Sequence, residues 1–163
     1  MRIPHFLSIA TGLALLVAAV QPQASPAQLA ATCPNAWPHE PVLVYDVAGS
    51  TLAGPFYRHL AVYSSGHAIL SESIGFGDPG RVGLAQLTQA EVAQLRSTLA
   101  AAGAATACDD PSQVSDVPLN TITLLRGGTD SLAHTSSYLI SGPAHAQSQQ
   151  IIDTLITTHF PGF

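Results

Sequence analysis

Behind the single cation Arg2, Phe6 to Val20 is a predominantly apolar run of 15 residues, and small residues ending Ser25-Pro26-Ala27 follow it. A helix that spans a bilayer needs about 20 apolar residues, and small residues suit the signal peptidase pocket. The segment therefore predicts a secretory signal, residues 1–27, with cleavage after Ala27 the best fit and Ala24 and Ala31 as alternative points. Cys33 stands thirteen positions beyond Val20 with Thr32 before it, which excludes the spacing of a lipid attachment site. Removing 27 of the 163 residues leaves 136, enough for one domain around a single core. What folds does so in a secreted or periplasmic setting, with no membrane anchor after cleavage.

That compartment permits oxidation, and the chain has two cysteines, Cys33 and Cys108. They predict one disulfide closing a loop of about 75 residues, for which the chain-entropy model gives about 4.5 kcal/mol. Charge is sparse. There is no lysine, and after Arg2 four arginines, Arg58, Arg81, Arg96 and Arg126, face ten carboxylates, a net charge of about −6. Such a surface cannot neutralise a row of phosphates, so nucleic acid is excluded as a partner.

Residues 28–41, rich in proline from Pro34 to Pro41, read as an extended lead-in. The domain itself spans residues 42–163. Val42 to Val47 is β-branched and aromatic, and Ala48 to Pro55 reads as a glycine loop that ends the strand. Tyr57–Tyr63 and His67–Ile74 read as a hairpin about Ser64-Ser65-Gly66. Gly75-Phe76-Gly77-Asp78-Pro79-Gly80 has the GxGxxG form, but Arg81 to Leu87 after it reads as a strand. A dinucleotide site needs a helix there, so the string reads as a hairpin loop.

Thr88-Gln89-Ala90-Glu91 is a capping box, flanked by Leu87 and Val92 as a hydrophobic staple, and Val92, Leu95 and Leu99 keep helical spacing up to Gly103. Glu91 is thus a cap rather than a catalytic acid. A second hairpin runs from Leu119–Leu125 to Leu132–Leu139, and Ser141-Gly142-Pro143 opens a last helix whose apolar stripe is Ile151, Ile152, Leu155 and Ile156. The order predicts an α+β fold: an antiparallel sheet of two hairpins plus extra strands, with two amphipathic helices packed on one face.

Chemistry-bearing patterns are few, and no catalytic, cofactor-binding or metal-binding residues emerge. His59 and His67 face each other across the first hairpin in this reading, but a third ligand is not visible. Asp109, Asp110 and Asp116 lack the alternation, glycine and terminal glutamate of a calcium loop and read as turn carboxylates. No G-x-S-x-G elbow occurs. A glycine-rich loop with an aromatic flank reads instead as a contact surface, made of Gly49, Ser50, Leu52, Gly54, Phe56 and Tyr57.

Val42-Leu43-Val44-Tyr45-Asp46-Val47-Ala48-Gly49, then Ala53-Gly54, then Leu60-Ala61-Val62-Tyr63-Ser64-Ser65-Gly66, then Leu87 to Leu95, resembles the emfourin-like family of small bacterial proteins. Where the family loop opens with paired glycines, this chain has Ala48-Gly49. Members of that family include protein inhibitors of thermolysin-like metalloproteases, so the resemblance implies a non-enzymatic protein-binding domain with a secreted protease or other extracytoplasmic protein as partner. Two other classes remain distinguishable. A domain binding a small molecule or envelope component predicts a concave apolar pocket, and a small hydrolase predicts a nucleophile and base within hydrogen-bond reach.

Overall fold

The computed structural model describes residues 40–110, 117–126 and 132–163. The expected signal segment, the lead-in up to His39, Cys33, Asp116 and the turn of the second hairpin lie outside them. Eight elements follow in order: β1 (Pro41–Thr51), β2 (Gly54–Tyr63), β3 (His67–Ile74), β4 (Arg81–Gln86), α1 (Gln89–Ala101), β5 (Leu119–Leu125), β6 (Leu132–Tyr138) and α2 (Pro143–His159). The strands form one antiparallel sheet in the order β4-β3-β2-β1-β5-β6. The chain is therefore α+β: β1 to β4 pair in succession as a four-stranded antiparallel meander, and the antiparallel pair of β5 and β6 lies along β1.

Side chains alternate between the two faces of the sheet, so pairing register decides what meets what. One row across the sheet reads Gly83, Leu70, Leu60, Tyr45, Ile122 and Ser136. The next carries Ala85, Ala68, Val62, Leu43 and Leu124. The apolar members of these rows share one core with Val92, Leu95 and Leu99 of α1 and Ile152, Ile156 and Phe160 from α2 and its end. The buried Tyr45 hydroxyl donates to Asn120 Oδ1 at 3.1 Å, and burial pushes its pKa well up. Gly83 leaves room for the chain end: a Cβ there would stand 2.9 Å from the Phe160 ring and 2.8 Å from that of Phe163.

The helix start follows from local chemistry. Thr88 Oγ1 accepts from the Glu91 amide at 3.2 Å, and the Thr88 amide donates to Glu91 Oε2 at 2.7 Å, closing the capping box. Replacing Thr88 with alanine is expected to cost about 1 kcal/mol, read as a lower urea midpoint at unchanged slope.

The two sheet edges differ. Along β6, the Ser137 amide donates to Asp109 Oδ1 at 2.7 Å and its carbonyl accepts from the Asp110 amide at 2.9 Å, so the loop after α1 occupies that edge at Ser137. At the other edge, β4 exposes Val82 and Leu84 on the face away from the helices.

Candidate functional site

At one end of the sheet β1 and β2 run on to a two-residue turn, Leu52-Ala53. The loop expected from Ala48 to Pro55 is corrected here: β1 continues to Thr51. Gly49 can lie within a strand because the Phe56 ring of β2 fills the place of its missing side chain, 2.7 Å from where a Cβ would be. Thr51 Oγ1 accepts from the Ala53 amide at 3.2 Å and donates to the Gly54 carbonyl at 3.3 Å, which holds the turn from inside.

A second tip, from Gly75 to Gly80 between β3 and β4, is stitched to the first. The Gly75 amide donates to the Pro55 carbonyl at 2.8 Å and the Phe76 amide to the Ala53 carbonyl at 3.0 Å. Gly54 has φ of 121°, and a Cβ there would lie 2.6 Å from the Phe76 nitrogen, so only glycine allows this approach. Asp78 braces the second tip, its carboxylate accepting from the Ile74 amide at 2.5 Å and the Gly80 amide at 3.0 Å. These backbone hydrogen bonds hold its carboxyl below the ordinary value. Leu52 is fully exposed, Phe76 is 83% exposed and Ile74 57%. Two braced tips thus present apolar side chains to solvent.

Behind the tips lies a cavity of about 260 Å³ lined by Val47, Thr51, Phe56, Tyr57 and Ile74, with Arg58 and Glu72 among its walls. Val47, Arg58, Glu72 and Arg81 are opposite one another in successive strands, so the charges continue the row pattern of the core. Glu72 keeps only 5% of its side chain exposed and takes an arginine on each oxygen. Arg58 donates through Nε at 2.9 Å and Nη2 at 2.5 Å to Oε1, and Arg81 through Nε at 3.0 Å and Nη2 at 2.5 Å to Oε2. Burial alone would push the Glu72 carboxyl up, but the hydrogen bonds from Arg81 and Arg58 together outweigh it and hold the pKa below its usual value. Arg81 also donates through Nη1 to the Gly162 carbonyl and lies 4.4 Å from the centre of the Phe163 ring.

Of the expected contact residues, Ser50, Leu52 and Tyr57 are exposed, Gly49 and Phe56 half-buried, and Gly54 buried. The last is a correction: Gly54 shapes the surface without belonging to it. Phe76, Ile74 and the arginine-glutamate cluster were missed, although the Gly-Phe-Gly loop already placed an aromatic at a hairpin tip. Cys108 is exposed, and its expected partner Cys33 lies outside the described residues.

Elsewhere, the face away from the helices holds His59 Nδ1 2.6 Å from Asp46 Oδ1, with the Tyr57 ring stacked at 6.1 Å and the Tyr57 hydroxyl donating to Asp46 at 3.4 Å. His59 is opposite Ser71, not His67, which contradicts the facing-histidine reading; His67 Nδ1 meets Ser65 Oγ at 2.8 Å. Among the described residues no hydroxyl is hydrogen-bonded to His59 Nε2, and no group of three His, Cys, Asp or Glu is placed to hold a metal ion. Asp109 and Asp110 accept from the amides of Ser137 and Ile140, as backbone caps do. No described helix is long and apolar enough to cross a membrane. No known family model and no curated protein matches the chain.

Proposed function

We propose that this is a small extracytoplasmic protein-binding domain, acting as an inhibitor of a secreted protease, with the hairpin end of its sheet as the contact surface. The observation that carries the reading is the pair of tips joined by backbone hydrogen bonds, on which Leu52 and Phe76 stand exposed. Binding energy at protein interfaces concentrates in a few apolar and aromatic anchors, and a loop already braced loses little freedom on docking. The signal segment supports a location outside the cytoplasm, and the resemblance to the emfourin-like family supports a protease as the partner.

Mixing the purified protein with a thermolysin-like metalloprotease is expected to give saturable, stoichiometric inhibition. The double variant Leu52→Asp/Phe76→Asp is expected to bind at least about 30-fold more weakly while melting at the wild-type temperature. Undiminished proteolysis at excess wild-type protein counts against the inhibitor reading.

A further inference from the structure

Behind the hairpin tips, the cavity combines two features that a general contact surface does not need: apolar walls and an arginine with a donor to spare. We propose that it receives the C-terminal residue of a partner polypeptide, with an apolar side chain against Phe56 and Ile74 and the terminal carboxylate on the Arg58 guanidinium. The inference rests on the hairpin end being a protein-contact surface and names the chemistry that surface takes.

The charge balance points to an anion. Two guanidinium groups share one carboxylate, Glu72, leaving one positive charge in excess. Arg81 has its Nε and Nη2 on Glu72 and its Nη1 on the Gly162 carbonyl. Arg58 spends Nε and Nη2 on Glu72, and its Nη1 has no hydrogen-bond partner among the described residues. Asp153 of α2 also feels the charge of Arg58, but no hydrogen bond joins the two among the described residues, and burial raises the Asp153 carboxyl above its ordinary value. A ligand carboxylate would meet a guanidinium held in a fixed orientation by Glu72, the geometry in which charge-assisted hydrogen bonds are strongest.

The walls and the volume narrow the class. Val47, Phe56 and Ile74 offer apolar surface, so a free inorganic anion would leave most of the cavity unused. At about 260 Å³ the space falls below the usual range of about 300–1,000 Å³ for small-molecule pockets and suits a single residue. A neutral apolar side chain would fill the walls but leave the Arg58 donor unpaired in a desolvated site, which is costly. A terminal apolar residue meets both demands.

The test uses the full-length protein and three small probes, followed by backbone amide chemical shifts: N-acetyl-leucine, its neutral amide N-acetyl-leucinamide, and hexanoate as a fatty-acid control. The acid is expected to saturate shifts at Val47, Phe56, Arg58 and Ile74, with the amide at least about tenfold weaker and Arg58→Gln losing the preference for the acid. Equal affinity for acid and amide, or no saturation by the acid, overturns the proposal. Tighter binding of hexanoate than of N-acetyl-leucine overturns the assignment to a polypeptide terminus. The comparison of acid with amide needs no variant, so it decides even where Arg58→Gln fails to fold. Because the probes replace the partner, a failed protease assay and a failed cavity remain separate results.

Discussion

Serine at both Cys33 and Cys108 is expected to lower the unfolding free energy by about 4 kcal/mol, and reduction of the wild type to have the same effect. From the start of β1 the path to Cys108 crosses β5 and β6, two strand spacings of about 5 Å each. Leu43 is opposite Leu124, Leu124 opposite His134, and His134 Nε2 meets the carbonyl of Ala107, next to Cys108, at 2.6 Å. The closed loop would tie the entry of β1 to the loop that meets β6 at Ser137, and it would do so by restricting the unfolded chain. Peptide mapping without reductant and thermal melts with and without it check the expectation; two free thiols in protein secreted to an oxidising compartment would contradict it.

Glu72→Ala is expected to cost about 2–3 kcal/mol at neutral pH. Removing one member of a buried ion pair strands the others, at about 3–5 kcal/mol when all are buried. Here the Arg58 and Arg81 side chains are 32% and 48% exposed, so water compensates part of the loss. Glu72→Gln keeps the shape and isolates the charge. A carboxyl whose folded pKa lies below its unfolded value stabilises the fold above the unfolded value, 4.5 for glutamate, and loses that contribution as pH falls through the folded one. The gap in melting temperature between wild type and Glu72→Gln should therefore narrow below about pH 4.5. A gap that stays constant down to acid unfolding would contradict the assignment. His145 acts at a higher pH. Its imidazole is buried against Tyr138, and desolvation by burial, the largest influence, lowers its pKa below 6.5 despite the nearby charges of Asp110 and Asp109. Stability should therefore begin to fall as pH drops below 6.5 in wild type and variant alike.

What could be read from the sequence was what short-range chemistry controls. The Thr88–Glu91 box, the Ser64–Gly66 turn and Pro143 at the start of α2 each act within four residues, and each is present in the structure. The end of β1 was misread because Gly49 is compensated by Phe56, a neighbour only once the strands pair. The same holds for His59 and His67: which residues are opposite depends on register, and the register of β2 against β3 sets Ser71 beside His59. Arg58, Glu72 and Arg81 come from three strands, with no spacing along the chain to announce them. Their meeting is a product of three-way register, as is the cavity they border. Of the candidate site, the exposed turn was legible through Leu52, while its second half, Phe76 and Ile74, emerged only from the way the two tips are joined.

The unequal sheet edges limit how this molecule can assemble. The β4 edge, with Val82 and Leu84 exposed and no further strand paired to it among the described residues, can accept another extended chain, whereas the Ser137 end of β6 is already occupied by the chain's own Asp109 and Asp110. Growth from one strand edge alone stops after the first addition. A polymer needs two complementary ends, and here the chain's own Asp109 and Asp110 hold one of them at Ser137, which favours a discrete pair over a fibre.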